Sequence, residues 1–176
     1  MIRKVLITLM IVVAIFIVIT AMVATMGAGI PAEYTTSATA VFPAPQDTVW
    51  AVLTDFAVYP SWRPKVTKVE MLPNENDLPA WRELDVQDQN LPYRATKMTK
   101  PSLLVLEIAE EDLPYSAEWT IEMSPHPTGC QVKITERGKI ESVMLRFVMK
   151  YFFQYDGTVT SFMENLEKRV IRNNLN

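Results

Sequence analysis

ATAVFPAPQDTVWAVLTDFAVYPSWRP, Ala38 to Pro64, changes rhythm partway along. Its first residues close YTTSATAVF, Tyr34–Phe42, a Thr- and Val-rich run that reads as a strand. Pro43 and Pro45 stop that strand, because proline fixes φ and lacks an amide donor. The residues after Pro45 predict a short helix capped by Gln46 or Asp47, with Val49, Trp50, Val52 and Leu53 on its buried side. AVYPSWRP, bracketed by Pro60 and Pro64, predicts a second short helix or turn that Asp55 can cap.

Downstream of Val66 the hydrophobic period becomes two, which predicts strands near 65–72, 80–87, 92–99, 103–111, 115–124 and 129–140. The separators PNEND, DQNL, KPS, EDLP and SPHPTG supply turn residues, and their hairpin lengths imply an antiparallel meander. From Met144 to Asn173 the period lengthens again. Val148, Phe152, Tyr155, Val159, Phe162, Leu166 and Val170 recur at steps of three and four, predicting one long helix with an apolar face. Gly157 lowers local helix stability by about 1 kcal/mol relative to Ala and permits a bend or close packing there.

Upstream, Val5 to Met26 is apolar except for Thr8, Thr20 and Thr25. As a helix rising about 1.5 Å per residue it spans roughly 33 Å, matching a hydrocarbon core of about 30 Å. Arg3 and Lys4 precede it, and no Lys or Arg follows until Arg63. That asymmetry keeps the N-terminus cytoplasmic and places the rest outside. The expected organisation is a cytoplasmic stretch 1–4, a single transmembrane anchor 5–26, a linker 27–33 and a globular domain 34–174. The alternative is a signal peptide cleaved near Thr25-Met26-Gly27, releasing the domain.

Composition excludes several function classes. Without Arg3 and Lys4 the chain holds 15 basic and 20 acidic side chains, a net charge of −5. Such a balance opposes a nucleic-acid partner and tight electrostatic docking on anionic head groups. A lone Cys130 forms no internal disulfide and reads as a small buried apolar residue. The single His126 sits in the turn PHPTG, so neither a metal site nor a resident cofactor is expected. No nucleophile elbow and no Gly-rich phosphate loop is present.

Strand, two short helices, six antiparallel strands and a long amphipathic helix leave few solutions. The class is α+β: a curved antiparallel sheet of about seven strands wrapped around the C-terminal helix. The Pro-x-x-x-Val-Trp helix, the Asp-Phe…Tyr-Pro-x-Trp turn, LPYSAEWTIEM, ITERGKI and Arg146-Phe147 together resemble the SRPBCC superfamily. This is the helix-grip fold of START lipid-transfer domains, birch-pollen-allergen-like proteins and polyketide cyclase/dehydrase-like proteins. The resemblance covers about Tyr34 to Val170 and implies a ligand cavity between sheet and helix. It chooses no activity, since carriers, cyclases, hydrolases and regulators share the fold. Ser116-Ala117-Glu118 stands where relatives often carry two glycines, a departure that weighs against close backbone approach there.

Alternation assigns faces. In β-strand register Tyr115, Ala117, Trp119, Ile121 and Met123 share the inner side, as do Val132, Ile134 and Glu136 of CQVKITERGKI. The expected cavity lining is Trp62, Trp119, Ile121, Met123, Ile134, Glu136, Phe152, Tyr155 and Val159. An inward Glu136 needs a partner or a proton. Arg146 is the expected partner, with Arg82 and Arg94 as others. Unpaired, Glu136 orients a ligand or serves as a general acid or base. WRELDVQ puts Trp81 and Glu83 on one face and Arg82 and Leu84 on the other, without saying which is inside. Trp62 either packs the short helices on the sheet or gates the cavity mouth. Three functions stay open: a membrane-anchored binder of a lipid or hydrophobic small molecule without catalysis, a cyclase- or dehydratase-like enzyme using Glu136, and an interaction module with a closed cavity.

Overall fold

The computed structural model describes residues 2–110, 112–153 and 157–174. Its elements run α1 (Ile2–Ala28), β1 (Glu33–Phe42), α2 (Gln46–Thr54), a 3-10 helix (Phe56–Ser61), β2 (Val66–Glu75), β3 (Leu78–Asp85) and β4 (Asn90–Thr99). They continue β5 (Leu103–Ile108), β6 (Tyr115–His126), β7 (Gly129–Ile140), α3 (Val143–Val148), a π-helical turn (Met149–Phe153) and α4 (Gly157–Asn174).

The strands form one antiparallel sheet in the order β1-β7-β6-β5-β4-β3-β2. Turn residues between successive strands make the meander. The two prolines after β1 break it instead, so α2 and the 3-10 helix carry the chain from one edge to the other. Register shifts in β2 and at Ala95/Lys97 in β4 mark bulges, which bend strands. The helix-grip arrangement expected from the sequence is the one observed.

The core lies between the concave face and α4. Val159, Phe162, Met163, Leu166 and Val170 of α4 are buried, with Ile121, Val132 and Ile134 of the sheet and Val49 and Leu53 of α2. Their steps of three and four in the helix, and of two in the strands, are what the sequence pattern required. α4 packs on β1, β7 and α2. Cys130 is fully buried, and His126 pairs with Thr128 in its turn at 3.0 Å.

Three local expectations are corrected. The predicted uniform α-helix from Met144 to Asn173 is described as α3 with its π-helical turn up to Phe153 and as α4 from Gly157, and the apolar residues of the two pieces serve different neighbours. α4 turns its apolar stripe to the sheet, whereas α3 packs on α1. Gly27 meets Val143 so closely that a Cβ there would collide with the Val143 backbone. α2 has Pro45 at its N-cap with no side-chain cap. Gln46 instead donates across the fold, to Pro101 O at 3.2 Å and Met123 O at 3.0 Å. Asp55 occupies the cap position of the 3-10 helix without a side-chain bond.

Candidate functional site

β7 alternates as the sequence says, and Glu136 points inward at 5% exposure. Its cross-strand neighbours are Trp119 on β6 and Thr36 on β1. A hydrogen-bond donor comes from two residues along β1 from Thr36: Tyr34 OH donates to Glu136 Oε1 at 2.8 Å. Gly138 makes that reach available. Tyr34 and Gly138 are opposite in register, and a Cβ on Gly138 would collide with the Tyr34 ring. The absent side chain lets the ring lie on the strand with its hydroxyl toward Glu136. Glu-x-Gly in TERG is therefore a carboxylate plus the space for its donor.

Among the described residues, Glu136 Oε2 is buried without a hydrogen-bond partner. Burial pushes the carboxyl above its usual range, while the Tyr34 hydroxyl and Trp119 indole oppose that shift. The expected pairing with Arg146 does not form. Arg146 Nη1 donates to Ile30 O at 2.7 Å, because α3 turns toward α1. Arg94 is engaged by Glu107 and Glu75, and Arg82 alternates away from the inward residues of β3.

A second inward acid lies on β3. Glu83, 6% exposed, accepts from Arg63 Nη1 at 2.6 Å and Trp81 Nε1 at 3.0 Å. The Arg63 guanidinium also lies 4.8 Å from the Tyr59 ring centre and 5.2 Å from that of Phe162. Tyr59 is buried and donates to Leu53 O at 2.8 Å. Burial raises the Tyr93 phenol, and both Glu83 and Glu136 add to the rise. Both carboxylates are therefore buried, and the charge of each favours the protonated Tyr93 phenol.

Aromatic rings complete the wall. Phe162 of α4 makes edge contacts with Trp62 at 5.4 Å and Trp119 at 5.2 Å. Trp81 stacks on Phe56 at 3.9 Å and on Tyr93 at 5.8 Å. Trp62 is buried between Tyr59 and Phe162 and backs a surface concavity of about 340 Å³ with Lys168, Arg169 and Arg172. Ile121, Met123, Ile134 and Val159 lie in the core. Phe152, expected inside, is 72% exposed on the π turn. Tyr155 lies outside the described residues.

Tyr34, Glu83, Tyr93 and Phe162 were absent from the expected lining. The alternation in WRELDVQ contained Glu83 but not its side. Tyr34 had a signal in principle, the inward phase of β1 opposite an inward glycine. Among the described residues no three His, Cys, Asp or Glu side chains converge on a metal-sized site. The chemistry available is that of a buried carboxyl. When protonated, it offers a donor and an acceptor to a ligand hydroxyl or carbonyl; it can also give up its proton.

The sequence profile of a family described as polyketide cyclase/dehydrase and lipid transport matches residues 42–175. No curated protein sequence matches the chain significantly. Solved structures share the fold at low identity. The di-domain ARO/CYC StfQ from the steffimycin biosynthetic pathway superposes with a TM-score of 0.64 at 10% identity, covering 81% of this chain and 52% of its own. The chain thus spans about half of that protein. A norcoclaurine synthase point mutant from Thalictrum flavum gives 0.64 at 14% identity, over 81% of this chain and 96% of its own. A START superfamily protein from Mycobacterium smegmatis gives 0.59 at 18%, over 78% and 97%.

Proposed function

Since the chain belongs to the polyketide cyclase/dehydrase and lipid transport family, we propose that its domain, residues 34–174, binds a lipid or hydrophobic small molecule between the concave face and α4. Glu136 Oε2 is the observation that carries this reading: a buried carboxylate oxygen without a hydrogen-bond partner among the described residues, on a side chain flanked by Tyr34 and Trp119. An apolar site with few polar groups fixes a ligand's orientation through them. α1 holds the domain at a membrane as a single span, with the basic Arg3-Lys4 end cytoplasmic and the domain outside.

Full-length protein extracted in mild detergent is expected to release a bound lipid or hydrophobic molecule to native mass spectrometry. Glu136→Gln should weaken its retention without unfolding the domain. No ligand by extraction, and no binding of added fatty acid or phospholipid, would sink the proposal.

The raised carboxyl of Glu136 favours a second reading, an acid/base catalyst of the cyclase or dehydratase type. Here Glu136→Gln abolishes turnover of a cyclisable substrate and leaves thermal stability nearly unchanged. Loss of folding in that variant would assign Glu136 to structure.

A further inference from the structure

We infer that α3 and the π turn, Val143–Phe153, form a foot that lies in the interface of the bilayer spanned by α1, on the side where the domain stands. The inference rests on the anchor reading. Four independent observations support it.

The first is composition. VMLRFVMKYFF holds nine apolar or aromatic side chains, two cations and no acid. No Asp or Glu occurs between Glu141 and Asp156, in a chain where acids outnumber bases. Aromatic and apolar residues with a few cations are what the interface favours, whereas a water-facing helix carries a charged stripe.

The second is exposure. None of the six residues of α3 is buried. Met144, Tyr151 and Phe152 are 50%, 51% and 72% exposed. The rings of Phe147, Tyr151 and Phe152 gather at centroid separations of 4.9 and 6.4 Å, and Lys150 Nζ lies 5.8 Å from the Tyr151 ring. A contiguous exposed aromatic patch marks an interaction surface.

The third is position. Within α1, Val23 and Gly27 are the residues not exposed, one turn apart. α3 packs on α1, and Val143 meets Gly27. The apolar run ends at Met26. α3 is therefore level with the last apolar turn of the anchor, where hydrocarbon gives way to head groups.

The fourth is attachment. Arg146 donates to Ile30 O, immediately beyond α1. The foot cannot move away from that level without breaking this contact. A lipid surface is the occupant because the same bilayer already surrounds the helix on which the foot is packed. The net acidity of the domain leaves the aromatic side chains, rather than charge, to make the contact.

The test uses the full chain in phosphatidylcholine bilayers with a minor fraction of phosphatidylglycerol. Nitroxide labels are placed one at a time at Phe152, Met144, Phe16 and Lys133, after Cys130→Ala. Accessibility to oxygen, concentrated in lipid, is compared with that to a water-soluble nickel chelate. Labels at 152 and 144 should show an oxygen-to-nickel ratio several-fold above that at 133. Water-like values at 152 and 144 with a lipid value at 16 overturn the foot and leave the anchor standing. Water-like values at 16 as well overturn the anchor reading, and the foot with it. Phe152 and Met144 are both exposed, so a label at one serves if the other perturbs folding.

Discussion

Glu83 and Glu136 face the same interior at 6% and 5% exposure. Arg63 and the Trp81 indole hold Glu83, whereas among the described residues Glu136 has no cation: the Tyr34 hydroxyl bonds one oxygen, the other lacks a hydrogen-bond partner, and the Trp119 indole lies close by. Burial alone therefore does not decide how an inward acid is partnered. The difference lies in what meets the charge. Glu83 has a guanidinium 2.6 Å away. Around Glu136 the surroundings instead favour the proton.

The sharpest way to break the contrast is to strip Glu83 of its cation. Arg63→Met leaves a buried carboxylate with only the indole, and should destabilise the fold by about 2–4 kcal/mol in denaturant titrations of the full chain. A change under about 1 kcal/mol would mean that Glu83 is as self-sufficient as Glu136. Gly138→Ala attacks the other acid indirectly. Its methyl displaces the Tyr34 ring, and a loss of about 1–3 kcal/mol is expected. Pairing it with Tyr34→Ala should recover part of that loss, because the collision is then gone. If the double variant is no better than the sum of the two singles, the ring is not what the glycine accommodates.

Tyr34→Phe sharpens the comparison with the smallest change, about 1 kcal/mol. The Tyr34 hydroxyl favours the ionised form, so removing it should raise the Glu136 carboxyl further, as read by carboxyl-carbon NMR titration. Glu136 already has a folded pKa above its unfolded one. Its contribution to stability is therefore complete below the ordinary 4.5 and lost as pH rises through the raised folded value. In Tyr34→Phe that loss continues to higher pH, so the gap between variant and parent should open on going from acid to neutral. A gap constant with pH would show that the hydroxyl does not touch the charge.

Much of this was legible before any coordinates. Period-two alternation fixed the inward side of β6 and β7, and with it Trp119, Ile134 and Glu136. Proline and turn chemistry placed the meander. Partners were less legible, because they depend on where elements point after they form. Arg146 is near Glu136 in sequence, yet α3 leaves β7 toward α1. Arg63 is twenty residues from Glu83 and reaches it through the 3-10 corner. Phe152 kept helical spacing with Val159, but the apolar residues on either side of residues 154–156 answer to different neighbours. Periodicity records that a face is apolar; it does not record what covers it.

The junction between α1 and the sheet has one more consequence. Between Ala28 and Glu33 the backbone is occupied almost continuously: Ile30 N donates to Gly27 O, Arg146 takes Ile30 O, and Ile140 N donates to Ala32 O. This is a welded joint rather than a leash. If α1 is the proposed anchor, a domain mounted this way does not swing out across an aqueous gap. With α1 in a membrane, as proposed, the helix beneath the domain sets its orientation and its traffic becomes two-dimensional: a ligand would arrive along the membrane plane or be handed over by a partner that comes to it.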